Sequence, residues 1–434
     1  MYHDPALAKA IADPRPASAV SSGVGFAGLA GLLGWIALAV HYGMDGPFAA
    51  LTALGACAVP MIVWSLVVDK VHRRASTGIG WANPRPLKDM LAISLTKLAG
   101  LWATWAMIAA VYATFRFYGD GTFGFAIACL TYAAPVLVAL SVPWVLWMDR
   151  YLIDPRDGAW ALGAWLLDLK DAAPDREIIY AHLRAWGVKG FFLAFMLGVV
   201  PGGFVEFVRA DPAALARDPV ALAKWLITLM FVVDVMFATV GYMLTFRVLD
   251  AHIRSAQPYV QGWAAALICY PPFILMSAGG PLDYHPGTAD WVYWLQGHPL
   301  LLAAMGAVLV ALTAVYAWAT IAFGLRFSNL THRGILTHGP YAFSRHPAYL
   351  SKNIFWWLST LPFLVTTGSL GDGVRNTAIM AVVSGVYWWR AKTEERHLGE
   401  DTAYVAYSDW MMRRGLVPRM LAKLTGRDPA QAGA

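Results

Sequence analysis

Long apolar stretches recur along the whole chain, and they constrain its fold more than any other feature. Each is close to the roughly 20 apolar residues that a helix needs to cross the hydrocarbon core of a bilayer. Of the 434 residues, 58% are hydrophobic and 14% are charged, whereas soluble domains carry about 25% charged residues. The sequence therefore predicts an all-α, polytopic membrane bundle of about ten transmembrane helices. The predicted spans are residues 23–41, 47–68, 91–112, 123–147, 191–207, 221–244, 262–278, 300–323, 354–366 and 376–389.

Basic residues are concentrated in alternate loops between these spans. With the N-terminus inside, the outer loops carry few of them, all near span edges: Arg116, Arg209, Arg217 and Arg375. This asymmetry follows the positive-inside rule and predicts an even number of spans with both termini in the cytoplasm. The net charge of +6 then reflects membrane topology, so we expect a lipid bilayer and no nucleic acid as a partner. The expected location is a bacterial inner membrane, and no oligomeric state is predicted.

Three ionisable side chains, Lys97, Glu206 and Asp234, lie within or near the ends of predicted spans. Charges at bilayer depth are costly and usually face a cavity or a partner, so all three are functional candidates. Glu206 and Asp234 are the candidate substrate-contacting residues. The alternatives are that Lys97 snorkels to the interface and that Asp234 pairs with a polar neighbour. The three cysteines lie singly in apolar stretches without metal-ligand spacing, so no metal site is predicted.

The loop between the eighth and ninth predicted spans, residues 331–350, is rich in histidine, arginine and tyrosine. Near a bilayer each of these side chains needs a polar partner, which a purely structural loop would not require. Gly339-Pro340 predicts a turn. Arg345 and His346 then precede Pro347, which is tolerated at a helix start.

Two glutamates, Glu394 and Glu395, follow the tenth predicted span. Taken alone, they fit a helix end that carries charge pairs. Together with the 331–350 loop, they offer carboxylates to a cofactor that carries ammonium and ribose groups. Tyr404 and Tyr407 supply further groups that could close a pocket and contact substrate.

The run from Gly339 to Leu350 resembles the G-x-Y-x-x-x-R-H-P-x-Y signature of the isoprenylcysteine carboxyl methyltransferase and phospholipid methyltransferase group. Residues 393–398, followed by the tyrosines and Pro418, resemble the second signature of that group. The resemblance covers roughly residues 300–420. It implies that S-adenosylmethionine binds on the cytoplasmic side. The implied cofactor-binding residues are His338, Gly339, Tyr341, Arg345, His346, Pro347, Tyr349, Leu350, Glu394 and Glu395.

Two positions depart from the signatures. Ser351 stands where the family usually has glycine, and residues 399–403 replace a Phe-Gly pair before the tyrosines. Neither departure removes a charged residue. We therefore expect them to change the shape of the pocket and to leave its charged contacts in place.

The implied reaction is an in-line methyl transfer to a membrane lipid or a prenylated amphipathic acceptor. A carboxylate acceptor would need no general base, and Arg345 could orient it with its bidentate guanidinium. An amine acceptor would need a base, for which His346 and Glu394 are the candidates. Arg345, His346 and Glu394 are therefore the candidate catalytic residues, and the sequence does not choose between the two acceptors.

Two other functions fit part of the pattern. Membrane sterol reductases resemble the same C-terminal architecture and bind NADPH, but their loop has Asn, Gly and Asp where this chain has Ala348, Ser351 and Lys352. A transporter or scaffold would account for Glu206 and Asp234 but leaves the 331–350 loop unexplained.

The chain is expected to divide into four regions. Residues 1–22 form a cytoplasmic tail, 23–298 a transmembrane region that could form a lipid-substrate wall, 299–424 a methyltransferase-like region, and 425–434 a disordered tail. Within the second region, the amphipathic run 175–186 fits either an interfacial helix or a solvated loop helix.

Overall fold

The computed structural model describes residues 15–117, 119, 121–169, 174–416 and 419–420. The fold is mostly α-helical, and seven of the described helices are long and apolar enough to cross a membrane. The predicted class, an all-α membrane protein, is confirmed at this level. These seven helices are α1 (Ser22–Tyr42), α2 (Pro47–Val63, continued by a turn to Val68), α3 (Leu87–Phe115), α4 (Gly124–Asp149), α6 (Arg176–Val208), α8 (Pro219–Met243) and α11 (Pro299–Phe323).

Shorter or more polar elements connect and follow them. The remaining helices are α5 (Gly158–Leu166), α7 (Pro212–Arg217), α9 (Val260–Leu267), α10 (Trp291–Trp294), α12 (Pro347–Thr360), α13 (Leu370–Leu398) and α14 (Thr402–Arg414). Two short strands, β1 (Ser255–Ala256) and β2 (Thr331–His332), form an antiparallel pair. Residues 1–14, the whole tail after Met420, Lys170 and Pro418 lie outside the described residues.

Three predicted spans differ from the helices that the structure contains. Residues 262–278 hold only the end of α9, followed by turns around Pro271-Pro272. Residues 354–366 hold the end of α12, which stops where Leu361 adopts a left-handed conformation (φ 48°). Residues 376–389 lie inside the longer α13, whose second half is charged. The number of about ten crossings and the cytoplasmic termini stay predictions.

Helix α6 includes the amphipathic run 175–186, which the sequence predicts as a separate helix, with Asp175 as its cap. Asp175 caps the helix by accepting a hydrogen bond from the Glu177 backbone N–H (2.8 Å). The helix then continues for 33 residues without a break at the expected start of the span. The first turns are therefore an extension of a long apolar helix.

Small residues allow α3 and α5 to approach each other closely. A Cβ atom on Gly100 would lie 2.0 Å from the carbonyl oxygen of Ala159, and one on Gly163 would lie 1.9 Å from that of Thr96. Glycine is required at both positions, because any side chain there would overlap a backbone oxygen of the other helix.

Arg333 ties the loop before the candidate site to the helix bundle. Its guanidinium is buried and donates to backbone carbonyl oxygens at the ends of two long helices and in their following loops. The acceptors are those of Gly241 (2.9 Å), Leu244 (3.1 Å), Ala251 (2.8 Å), Leu325 (2.8 Å) and Phe327 (2.8 Å). The buried ion pair between Arg326 and Asp250 (2.6 Å) lies next to it. These contacts fix the point from which residues 334–347 leave the bundle.

Candidate functional site

The candidate site is built from the start of α12 and the last turns of α13. A tight turn at Gly339, whose φ of 58° favours glycine, directs the loop towards Arg345. Pro347 is the first residue of α12, so His346 stands at its N-terminus. Glu394 and Glu395 lie near the C-terminal end of α13.

Arg345 and His346 contact Glu395 directly. His346 Nε2 lies 3.0 Å from Glu395 Oε1, and Arg345 Nη2 lies 3.4 Å from the same oxygen. Lys392 Nζ adds a further contact, 2.8 Å from Glu395 Oε2. The structure therefore brings together the two segments that the sequence singled out. We call Arg345, His346, Tyr349, Glu394 and Glu395 the carboxylate cluster.

Glu394 occupies a different position in the carboxylate cluster. The Tyr349 hydroxyl donates a hydrogen bond to its carboxylate. The nearest nitrogen atoms of basic side chains are farther away, with His346 Nδ1 at 4.0 Å and Arg390 Nε at 3.8 Å. About a quarter of the Glu394 side chain is exposed (26%). Of the two carboxylates, Glu394 is the more available to a ligand.

The charges around Glu395 favour its ionised form. Burial alone would raise the pKa of this carboxyl group, but hydrogen bonds from His346 and Lys392 and the charge of Arg345 lower it to about 2. Glu395 is therefore a carboxylate throughout the physiological range, and it holds the loop against α13.

Arg390 is a buried cation next to the carboxylate cluster. It was not identified as a site residue from the sequence. It donates to Asn329 Oδ1 (2.5 Å) and lies 5.1 Å from the ring of Tyr349 and 5.5 Å from that of Tyr270. The only sequence feature that pointed to Arg390 was its spacing of four residues from Glu394, which predicts an ion pair on one helix face. Its partners come from separate segments, so the spacing could not show that it is buried.

Helix α14 closes one side of the carboxylate cluster. Arg345 Nη1 lies 2.9 Å from Ser408 Oγ, and the Tyr407 hydroxyl donates to the backbone oxygen of Tyr341 (2.7 Å). Burial raises the pKa of both Tyr404 and Tyr407, so both hydroxyls stay neutral. Tyr407 thus positions the loop, and no contact of the described residues assigns it to substrate.

His338 and Gly339 lie in a separate recess of about 610 Å³. His338 Nδ1 is 2.7 Å from Ser18 Oγ, and Trp318 and Phe343 line the same recess. Neither glutamate is part of this lining. The structure therefore places the two halves of the predicted cofactor site in neighbouring but distinct positions.

The other predicted site residues have different surroundings. Tyr341 packs against Phe323 in the helix core (5.4 Å between rings), and Leu350 is 47% exposed. Asp234 is buried and accepts hydrogen bonds from Tyr316 (2.6 Å) and Thr320.

Glu206 and Lys97 are also placed away from the carboxylate cluster. Glu206 is exposed near the C-terminal end of α6, and within the described chain no ion pair or hydrogen bond joins it to the cluster. Lys97 does not snorkel but pairs with Asp149 (2.5 Å) and Asp157 (3.1 Å).

Two buried polar atoms near the site test whether a polar cofactor fits. Arg390 Nε and His338 Nε2 have no hydrogen-bond partner among the described residues. Buried polar atoms in folded proteins nearly always have a partner. A ligand acceptor group would satisfy Arg390 Nε, and a ligand donor or acceptor group, according to the tautomer, would satisfy His338 Nε2. Across the described residues, no group of three or more His, Cys, Asp or Glu side chains could hold a metal ion.

No family model, curated protein or solved structure matches this chain.

Proposed function

We propose that this protein is an integral membrane methyltransferase that uses S-adenosylmethionine and acts on an amphipathic lipid at the cytoplasmic face. The observation that carries the proposal is the contact of Arg345 and His346 with Glu395, beside the more available Glu394. This contact joins the two motifs that resemble methyltransferase signatures across an intervening pair of helices.

The residues of the carboxylate cluster fit a donor that carries both positive and negative groups. Glu394 can accept hydrogen bonds from an ammonium group, and Arg345 and Arg390 can bind a carboxylate. When bound, S-adenosylmethionine supplies a methyl group on a positively charged sulfur. The chain contributes orientation and an environment with little water, in which a step that reduces charge separation is favoured.

The acceptor decides what else the chain must do. If the acceptor is a carboxylate, Arg345 can orient it and no proton moves. If the acceptor is an amine, Glu394 is the better placed base, because His346 Nε2 already faces Glu395 at 3.0 Å. The proposal therefore retains Arg345 and Glu394 as candidate catalytic residues, with His346 as the less favoured base.

The competing cofactor is NADPH. Its anionic phosphates would be repelled by Glu394 and Glu395 but attracted by Arg345, Arg390 and Lys392. Charge alone therefore does not separate the two cofactors. A reductase that binds NADPH is therefore the second outcome of the test below.

The test measures cofactor binding to the purified protein by calorimetry. Wild-type protein should bind S-adenosylmethionine saturably, and Glu394→Gln should weaken binding about ten-fold or more, because a charge-assisted hydrogen bond is lost. Asp372→Asn is the matched control, because it removes one carboxylate from the opposite end of the same helix. Saturable binding of NADPH without binding of S-adenosylmethionine would refute the proposal.

A further inference from the structure

A large cavity opens between helices α3, α4 and α6 and the end of α8. Its volume is about 2990 Å³, whereas sites for compact small molecules measure roughly 300–1,000 Å³. Trp102, Leu137 and Leu193 are typical of its wall, which is mainly apolar. A wall of this kind favours long hydrocarbon chains, because their burial removes apolar surface from water.

Where the cavity meets the end of α8, its lining carries a cation without an acidic partner among the described residues. Lys189 Nζ donates to Thr245 Oγ1 (2.8 Å) and lies 4.0 Å from the ring centre of Trp186. No carboxylate of the described chain lies within 4.0 Å of it. By contrast Lys97, on the same wall, is neutralised by Asp149 and Asp157.

Arg333 adds positive charge near Lys189. The hydrogen bonds of Arg333 run to backbone carbonyl groups, and no ion pair among the described residues neutralises its charge. Two neighbouring cations in apolar surroundings are costly unless an anion lies close by. The charge at this end of the cavity is therefore complementary to an anionic group.

The cavity also reaches the helix that carries the carboxylate cluster. His397, near the C-terminal end of α13, and Glu400, two residues after that helix, are part of its lining. His397 follows Glu394 by three residues, which is about 4.5 Å along a helix. An occupant of the cavity could therefore lie within one helical turn of the proposed site of methyl transfer.

We infer that this cavity binds an anionic membrane lipid, with its hydrocarbon chains on the apolar wall and its headgroup on Lys189. The role of this lipid as methyl acceptor rests on the proposed function. Its binding does not, because no methyl donor takes part.

The experiment is native mass spectrometry of the delipidated full-length protein with phosphatidylglycerol or phosphatidylcholine of identical acyl chains. Wild-type protein should retain phosphatidylglycerol in preference, and Lys189→Met should reduce this preference about ten-fold. Lys189→Arg should preserve it, as should Lys88→Met, which removes an exposed lysine outside the cavity lining.

A second pair of variants tests the chain-binding wall. Ala109→Trp places a large ring in the cavity and should weaken binding of both lipids, whereas Ala110→Trp changes the next, exposed residue, which is not part of the lining. Far-UV circular dichroism of each variant should show unchanged helix content.

Three results would overturn the inference. They are an unchanged phosphatidylglycerol preference in Lys189→Met, wild-type binding of both lipids by Ala109→Trp, and a lipid-free dimer whose interface covers the cavity. Binding of S-adenosylmethionine, measured separately, distinguishes the two proposals: its absence from a lipid-binding protein would refute the proposed function and leave the lipid site intact.

Discussion

Replacing Glu395 by glutamine should remove most of the acid sensitivity that the carboxylate cluster gives the fold. Glu395 is contacted by His346 (3.0 Å), Lys392 (2.8 Å) and Arg345 (3.4 Å), and its side chain is only 16% exposed. Glutamine has nearly the same shape but carries no charge. The substitution therefore changes electrostatics with little change in packing.

The magnitude follows from the pKa of this carboxyl group. The pKa falls from its usual 4.5 to about 2 in the folded protein, and a shift of this size corresponds to roughly 3 kcal/mol of stability. A lowered pKa means that the stabilisation is present above pH 4.5. It is lost progressively as the pH falls from 4.5 towards 2.

The assay is thermal unfolding of the purified protein in detergent at pH 6 and at pH 3.5. Wild-type protein should lose more thermal stability between these two values than Glu395→Gln. Glu206→Gln, which removes an exposed carboxylate from α6, should lose as much as wild type. If Glu395→Gln were as acid-sensitive as wild type, the charge of Glu395 would not stabilise the contact between the loop and α13.

Three further substitutions test the framework around the site by the shift in melting temperature. Arg333→Met should destabilise by about 3 kcal/mol or more, because it leaves several buried carbonyl groups without donors; a shift no larger than that of an exposed arginine would contradict this. Gly163→Val should cost about 1–3 kcal/mol, because its new side chain would overlap the Thr96 carbonyl oxygen; a neutral result would mean that α3 and α5 are not in close contact. Tyr407→Phe should cost about 1 kcal/mol through loss of its hydrogen bond to Tyr341, and wild-type stability would show that this bond contributes nothing.

The length of the apolar runs predicted most of the long helices, because a helix that crosses lipid must consist mainly of apolar residues. It failed for residues 262–278, where a continuous apolar run contains Pro271-Pro272 and forms turns after α9. Hydropathy measures where a segment can be buried and does not measure its backbone conformation. The same limit applies to 175–186, which is amphipathic yet continues into α6.

The two motifs could be found from sequence because their charged residues are close together along the chain. The hydrogen bonds and ion pairs that surround these motifs could not be predicted from the sequence. Arg390 contacts Asn329 and lies beside Tyr270. Arg333 binds the carbonyl groups of Gly241, Leu244 and Ala251, which are 82 to 92 residues away along the chain. These partners become neighbours only through tertiary packing. The pairing of Asp234 with Tyr316, by contrast, is the polar-neighbour alternative that the sequence had left open.

Transfer of labelled methyl groups tests the central claim most directly. Purified protein is incubated with S-adenosylmethionine labelled in its methyl group and with a bacterial lipid extract, and the organic phase is then counted. Wild-type protein should place label in a lipid, and Glu394→Gln should lose most of that activity while Asp372→Asn keeps it. No labelled lipid with wild-type protein, together with NADPH consumption in the same extract, would contradict the account.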